Sequence, residues 1–287
     1  MANPVVAVLG ATSLVGGLVI SFLREQGSDV RALSRKAAER TDASTSNFIR
    51  PQDLKNESIE SWICLAPIWV LKDYFELMSR CGVRRVVALS STSLFTKRTS
   101  SDMAEQALAE KLREGETSLM RWAQAAGVEW VILRPTLIYG FGLDKNVSEI
   151  VRIIQRLGIF PLLGKAEGLR QPVHATDVAQ AAVAALATKV ATNRAYNLSG
   201  GETLPYRLMV ERIFIASGRR PRFISVPLPI FKMAVACLRV FPRYRGLTSA
   251  MADRMNQNLV FDHSDAVRDL RFDPRKFELA QQDLLGS

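Results

Sequence analysis

The chain has 287 residues, 48% of them apolar and 23% charged, with a formal charge of +10. At this length folding buries roughly 75% of the surface of the unfolded chain, so a core needs neither disulfide nor metal, and the mixed composition excludes a disordered polymer. Cys64, Cys81 and Cys237 stand far apart without CxxC or Cys/His spacing, which predicts reduced cysteines in a cytoplasmic protein. The N-terminal MANPVVAVLGAT has no basic segment before its apolar run, so it does not read as a signal peptide.

Pro4–Leu9 is a continuous apolar run suited to a strand buried on both faces. It leads into the glycine turn Gly10–Gly17, a helical pattern over Leu18–Leu23 ending at Gly27, and a second strand, Val30–Leu33. This is the βαβ unit of a dinucleotide-binding fold. The alternation continues with a strand at Ile63–Ala66, a helix over Val70–Arg80, a strand at Val86–Leu89, a helix over Met103–Ala126 and a strand at Trp130–Leu133. Strands separated by helices predict a doubly wound parallel sheet. After Arg134-Pro135 the texture changes: helical patterns at Val147–Leu157, Thr176–Ala187 and Tyr206–Ser217 alternate with short strand-like pieces, without repeat or linker. The expected organisation is therefore α/β: a Rossmann-type dinucleotide-binding core over residues 1–140, and a smaller C-terminal α+β cap over 141–287 whose returning elements pack on the core.

The glycine turn has a physical task. Gly10 permits the tight strand-to-helix turn, Gly16 lets the helix approach the sheet, and the helix N-terminus offers N–H groups to a pyrophosphate. Ser13 occupies the middle position of GxxGxxG; it permits a close turn and offers a hydroxyl to phosphate, while crowding the backbone's approach. Where an acidic residue would hold the ribose of NAD, the second strand ends in Ser34-Arg35-Lys36. Guanidinium binds a 2′-phosphate bidentately, so NADP is the expected cofactor, with NAD allowed.

The excess charge is local. From Gly218 to Ala252 there are seven basic residues and no acidic one, interleaved with apolar side chains. The readings are an exposed solvated face, weak contact of 219–245 with an anionic membrane surface, or steering of an anionic substrate; nucleic acid is not an expected partner. The apolar run Val226–Val240 is broken by Lys232 and Arg239 and falls short of the ~20 residues that span a bilayer.

The chain resembles the extended and atypical short-chain dehydrogenase/reductases, in particular their NAD-dependent epimerase/dehydratase-like branch. VLGATSLVGG, with Gly10, Thr12, Ser13, Leu14, Val15 and Gly16, resembles the cofactor turn. Asp53-Leu54 resembles the pair that faces adenine, and Leu65-Ala66-Pro67 the strand end lining the cofactor. Leu89–Ser93 resembles the strand carrying the catalytic Ser/Thr, here Thr92, and LRPTLIYG, with Pro135 and Tyr139, the signature beside the nicotinamide. VHATDVA, YNLSGG and DLRFDP resemble later family elements.

The departure is equally informative. The family's Tyr-x-x-x-Lys dyad precedes a Glu that here falls on Glu116, eighteen residues before Arg134, which puts leucines, Leu108 and Leu112, at the dyad positions. Lys111 is one residue off and, on a helix, points about 100° away. Thr92 and Tyr139 remain as candidate catalytic hydroxyls. His174 reads as a structural histidine at a strand end, and His263 as part of a helix start. No metal-ligand spacing, paired-carboxylate constellation or GxSxG occurs. The resemblance implies an NAD(P)-binding oxidoreductase or epimerase/dehydratase-like protein acting on an unidentified small molecule, or alternatively a non-catalytic dinucleotide-binding regulator or accessory subunit. A homodimer is compatible with either.

Overall fold

The computed structural model describes residues 3–35, 48–54, 57–144, 146–231, 233 and 249–284. Lys36, Cys237 and most of the basic segment, including Lys232, Arg239, Arg243 and Arg245, lie outside the described residues.

The strands are β1 (Val5–Leu9), β2 (Asp29–Leu33), β3 (Ser61–Cys64), β4 (Arg85–Leu89), β5 (Glu129–Pro135), β6 (Ile138–Tyr139), β7 (Phe160–Leu163), β8 (Leu169–Arg170), β9 (Val173–His174), β10 (Arg194–Leu198), β11 (Leu204–Pro205) and β12 (Phe223–Val226). Six of them form the central sheet, in the order β2-β1-β3-β4-β5-β10, every neighbouring pair parallel. A single parallel bridge, Leu33 to Ile49, continues it beyond β2. The chain leaves β1 toward β2 and then returns to β3 on the other side, so the topological switch point lies between β1 and β3, where such sheets bind their ligands.

The main helices are α1 (Leu14–Glu25), α2 (Phe75–Arg80), α3 (Ser93–Thr96), α4 (Met103–Ala126), α5 (Val147–Leu157), α6 (Ala175–Ala187) and α7 (Tyr206–Ala216). α1 starts four residues before the apolar pattern because Ser13 caps it, accepting a hydrogen bond from the Gly16 N–H at 3.1 Å. The helix expected over Val70–Arg80 splits into a 3₁₀ stretch, Ile68–Tyr74, and α2. β-Branched and aromatic residues lose rotamer freedom in an α-helix, and the Ile68-Trp69 backbone is pressed against α4 at Gly115, where a Cβ would lie 2.8 Å from the Trp69 nitrogen.

The sheet separates two apolar layers. One holds Val8, Val19, Ile20, Val131 and Val178 beneath α1 and α6; the other holds Trp62, Met78, Val86, Leu112 and Leu119 beneath α2 and α4. A third cluster, with Tyr139, Ile154, Phe160, Phe214 and Phe277, forms the cap core. β10 and α6 arise beyond residue 140 yet belong to the central sheet and one of its layers. Cys64 and Cys81 are buried free thiols, and burial pushes both pKa values up.

One ion network ties the late DLRFDP segment to β10. Asp269 is buried and accepts hydrogen bonds from Arg268 (Nε, 2.8 Å), Arg194 (2.7 Å) and the Tyr196 hydroxyl (2.9 Å). The Arg268 guanidinium first, then Tyr196 and Arg194, hold its carboxyl down to about 2 against an ordinary 3.8. A folded-state pKa below the unfolded one contributes stability that is present above the unfolded value and lost as pH falls through the folded one. Asp269→Asn is therefore expected to lower the thermal midpoint at pH 7, and the gap to the unmodified chain should close between about pH 4 and pH 2. A gap that stays constant over that window would refute this account.

Candidate functional site

At the switch point the glycine turn lies against the end of β3. Gly10 has φ +83°, and a Cβ there would sit 2.5 Å from the Ala66 nitrogen. At Gly16 a Cβ would sit 2.5 Å from the Gly10 carbonyl oxygen. Both positions are closed to any side chain, which brings Gly10, Gly16, Leu65 and Ala66 together as expected. The Ser13 hydroxyl donates to the Gly10 carbonyl oxygen at 2.8 Å and accepts from Gly16. It is thus committed to the cap. The first-turn N–H groups of Leu14 and Val15 remain those that point out of the helix, and Thr12 and Ser13 beside them are exposed.

Ser34 is buried at the end of β2, where its N–H donates to the Ile49 carbonyl, and Arg35 is exposed next to it. Asp53 ends a 3₁₀ turn, its carboxylate held by Arg50 at 2.6 Å and 3.2 Å, with Leu54 buried behind it. Pro67 caps the 3₁₀ stretch that follows Ala66. These residues follow the C-terminal ends of β1, β2 and β3.

A cavity of about 500 Å³ opens beyond the C-terminal ends of β4 and β5, between the sheet and the cap. The sheet contributes Ser91, Thr92, Thr136 and Leu137; the cap contributes Ile150, Phe160, Tyr206, Met209 and Arg254 among others. Thr92 is buried, and its hydroxyl donates to the Pro135 carbonyl at 3.2 Å, to which its N–H also donates at 3.1 Å. The strand end of β4 is thereby tied to that of β5. Burial pushes the Tyr206 phenol up to about 12, and the Arg170 guanidinium stacks over its ring at 5.4 Å.

Tyr139 does not line this cavity. It is fully buried in the cap core, edge-on to His174 and Phe277, and its hydroxyl reaches the Glu278 carbonyl at 3.4 Å. Burial, with the Asp283 and Asp177 charges, pushes its phenol up. The hydroxyl expected as catalytic is thus placed in the cap core, away from the cavity lining. Side chains on β6 alternate in direction, so Ile138 faces the sheet layer and Tyr139 the cap.

His174 is buried at the end of β9: its Nδ1 accepts from the Thr176 N–H, and its Nε2 contacts Asp283 at 3.2 Å. Burial pushes the Asp283 carboxyl up, but the His174, Phe141 and Ala280 hydrogen bonds outweigh it and hold the carboxyl below the usual range. At the dyad positions, Leu112 is buried in the layer beneath α4 and Leu108 packs against it. Glu116, one turn on, is 3% exposed and forms a bidentate pair with Arg134 (2.9 and 2.5 Å) while accepting from the Ser90 hydroxyl at 2.6 Å.

Motif reasoning missed Lys97, Glu105, Arg170 and Arg254. Among the described residues no group of His, Cys, Asp and Glu is arranged to hold a metal, and no helix is long and apolar enough to cross a membrane.

Residues 72–199 match the NAD dependent epimerase/dehydratase family. The chain is 26% identical over 161 residues to UDP-glucose 4-epimerase of Vibrio cholerae, an alignment covering 56% of the chain and 47% of that protein. Less than half of that relative's length is thus represented here. It is 22% identical over 268 residues to the NAD(P)H azoreductase of Xenophilus azovorans, covering 88% and 85% respectively. The fold matches that of UDP-glucuronic acid 4-epimerase from Bacillus cereus, solved in complex with NAD, with a TM-score of 0.69 at 15% identity over 98% of this chain and 96% of that one. The glycine turn at the switch point, the tied ends of β4 and β5 and these likenesses agree: residues 72–199 match the NAD dependent epimerase/dehydratase family, and the chain shares the fold of the solved epimerases.

Proposed function

We propose that the protein is an NADP(H)-binding oxidoreductase that acts on a small molecule held in the 500 Å³ cavity. The carrying observation is the adjacency of two features at one end of the sheet: the side-chain-free glycine turn against Leu65-Ala66, and the cavity floored by Thr92. The residues present fit a dinucleotide. Gly10 and Gly16 leave a cradle that a Cβ would fill, and the N-terminus of α1 opens beside it. When bound, the dinucleotide supplies a hydride acceptor or donor. The Leu14 and Val15 N–H groups would hold its pyrophosphate and Arg35 its 2′-phosphate, while Asp53 and Leu54 would face the adenine and Leu65, Ala66 and Pro67 would line the cofactor. Thr92 would orient a substrate oxygen. Its own proton is engaged with the Pro135 carbonyl, so toward a substrate hydroxyl it would act as an acceptor.

The test is a paired titration and turnover measurement. NADPH should bind more tightly than NADH, and Arg35→Ala should remove about 1.5–3 kcal/mol of that affinity, the contribution of a hydrogen bond to a charged group. Equal calorimetric affinities for the two cofactors would sink the preference.

A second reading rests on Leu108 and Leu112. With both in the apolar layer beneath α4, these two positions hold no phenol–ammonium pair, and a general acid of that kind typically contributes about 10²–10⁴ in rate. On this reading the protein is a dinucleotide-binding regulator or accessory subunit. Stoichiometric NADPH oxidation with a carbonyl substrate supports the enzyme; tight binding without turnover on aldehydes, ketones and nucleotide sugars supports the regulator.

A further inference from the structure

Two cations line one wall of the cavity. Lys97, five residues after Thr92, and Arg254, on the Ser249–Asn256 helix, both line the cavity. Both pair with one carboxylate, Glu105 near the start of α4: Lys97 at 3.6 Å and Arg254 in direct contact. Glu105 is buried and also accepts from the Ser100 hydroxyl at 2.7 Å. The two half-buried cations thus share Glu105, with the Asp102 charge near both, while neither carboxylate lines the cavity itself. Burial lowers the pKa of each, and the Arg254 charge lowers that of Lys97 further.

The other charged residues of the lining are engaged elsewhere. Glu149 lines the cavity but pairs with Arg152 at 2.6 Å on the exposed side of α5. Arg170 donates to the Leu169 and Gln257 carbonyls at 2.7 and 2.8 Å and to the Arg254 carbonyl, so it fixes the backbone that presents Arg254. The remaining wall combines apolar side chains, Leu137, Ile150, Ile153, Phe160, Met209 and Met255, with the hydroxyls and amides of the strand ends and α5. A volume of about 500 Å³ lies within the usual range for a small-molecule site.

We propose that the cavity takes an amphipathic anion, its oxyanion head (a carboxylate or a phosphate monoester) held between Lys97 and Arg254 and its apolar body laid along α5 toward Thr92. This names the substrate class for the proposed oxidoreductase and rests on that reading of the cavity. A charged head paired to two partly desolvated cations binds far better than a neutral one of the same shape, whereas the apolar body alone cannot distinguish them.

The experiment is calorimetric titration of the full chain with octanoate, octyl phosphate and octan-1-ol, beside NADPH in the same samples. At least one anion should bind tenfold or more tightly than the alcohol, and added salt should shrink the difference; which anion wins identifies the head group. Lys97→Met and Arg254→Met should each abolish the preference, while Arg98→Met, which changes an exposed cation lining a separate groove, should preserve it. Should a variant fail to fold, the unmodified chain with three probes at two salt concentrations still decides. Equal binding of anions and alcohol, or an undiminished preference in folded Lys97→Met and Arg254→Met, overturns the proposal. NADPH binding with no anion preference removes the substrate class and leaves the proposed function standing; an anion preference without NADPH binding does the reverse.

Discussion

Glu116→Ala is expected to cost about 3–5 kcal/mol of folding stability, the usual penalty for breaking a buried ion pair and leaving one partner uncompensated. The Glu116 side chain is 4% exposed and that of Arg134 19%, and the carboxylate also serves the Ser90 hydroxyl. Removal would strand a guanidinium and a hydroxyl between α4 and the ends of β4 and β5. Because Arg134 precedes Pro135, whose carbonyl receives both Thr92 hydrogen bonds, the damage should extend to the cavity floor. Glu116→Gln, which keeps the shape and part of the hydrogen bonding, should cost clearly less. Denaturant unfolding measures both, and a loss below about 1 kcal/mol for the alanine variant would contradict the buried-pair account.

Gly10→Ala should abolish measurable dinucleotide binding while lowering the thermal midpoint. The substitution forces an L-residue into φ +83° and drives a Cβ to 2.5 Å from the Ala66 nitrogen and 2.8 Å from the Leu65 carbonyl carbon. The left-handed conformation alone costs roughly 1–2 kcal/mol. The overlap is with backbone, which no rotamer change relieves, so either the turn or the end of β3 must move, and both lie at the switch point. Gly17→Ala is the matched control. Its Cβ would meet nothing within 4 Å, and replacing glycine inside α1 should stabilise the helix by about 0.5–1 kcal/mol with binding intact. Equal loss of NADPH affinity in both variants would mean that the turn is not where the dinucleotide binds.

β1 and β4 are legible in the sequence because strands buried on both faces read as unbroken apolar runs, and Val5–Leu9 and Val86–Leu89 are such runs, whereas β10, Arg194–Leu198, is not. The leucines at 108 and 112 are legible by counting from Arg134. Capping chemistry is not: Ser13 reads as a phosphate-facing residue, yet its hydroxyl is spent on the helix start. The side of β6 on which Tyr139 falls is not legible either, because a two-residue strand has no periodicity to read. The Lys97–Glu105–Arg254 cluster assembles from a loop, the start of α4 and a helix some 150 residues later. No local pattern announces such a convergence.

The late arrival of β10 bears on how the chain acquires its structure during synthesis. When only the first 140 residues have been made, β5 has no partner on its outer side, because Arg194–Leu198 is the segment that pairs with it. α6, which covers α1 and one apolar layer, is also missing. That intermediate would expose an unpaired sheet edge and an uncovered apolar face, the two features that most promote intermolecular association. Productive folding therefore waits for a contact spanning some 60 residues, which places the rate-limiting closure late and makes a chain truncated near residue 140 prone to self-association.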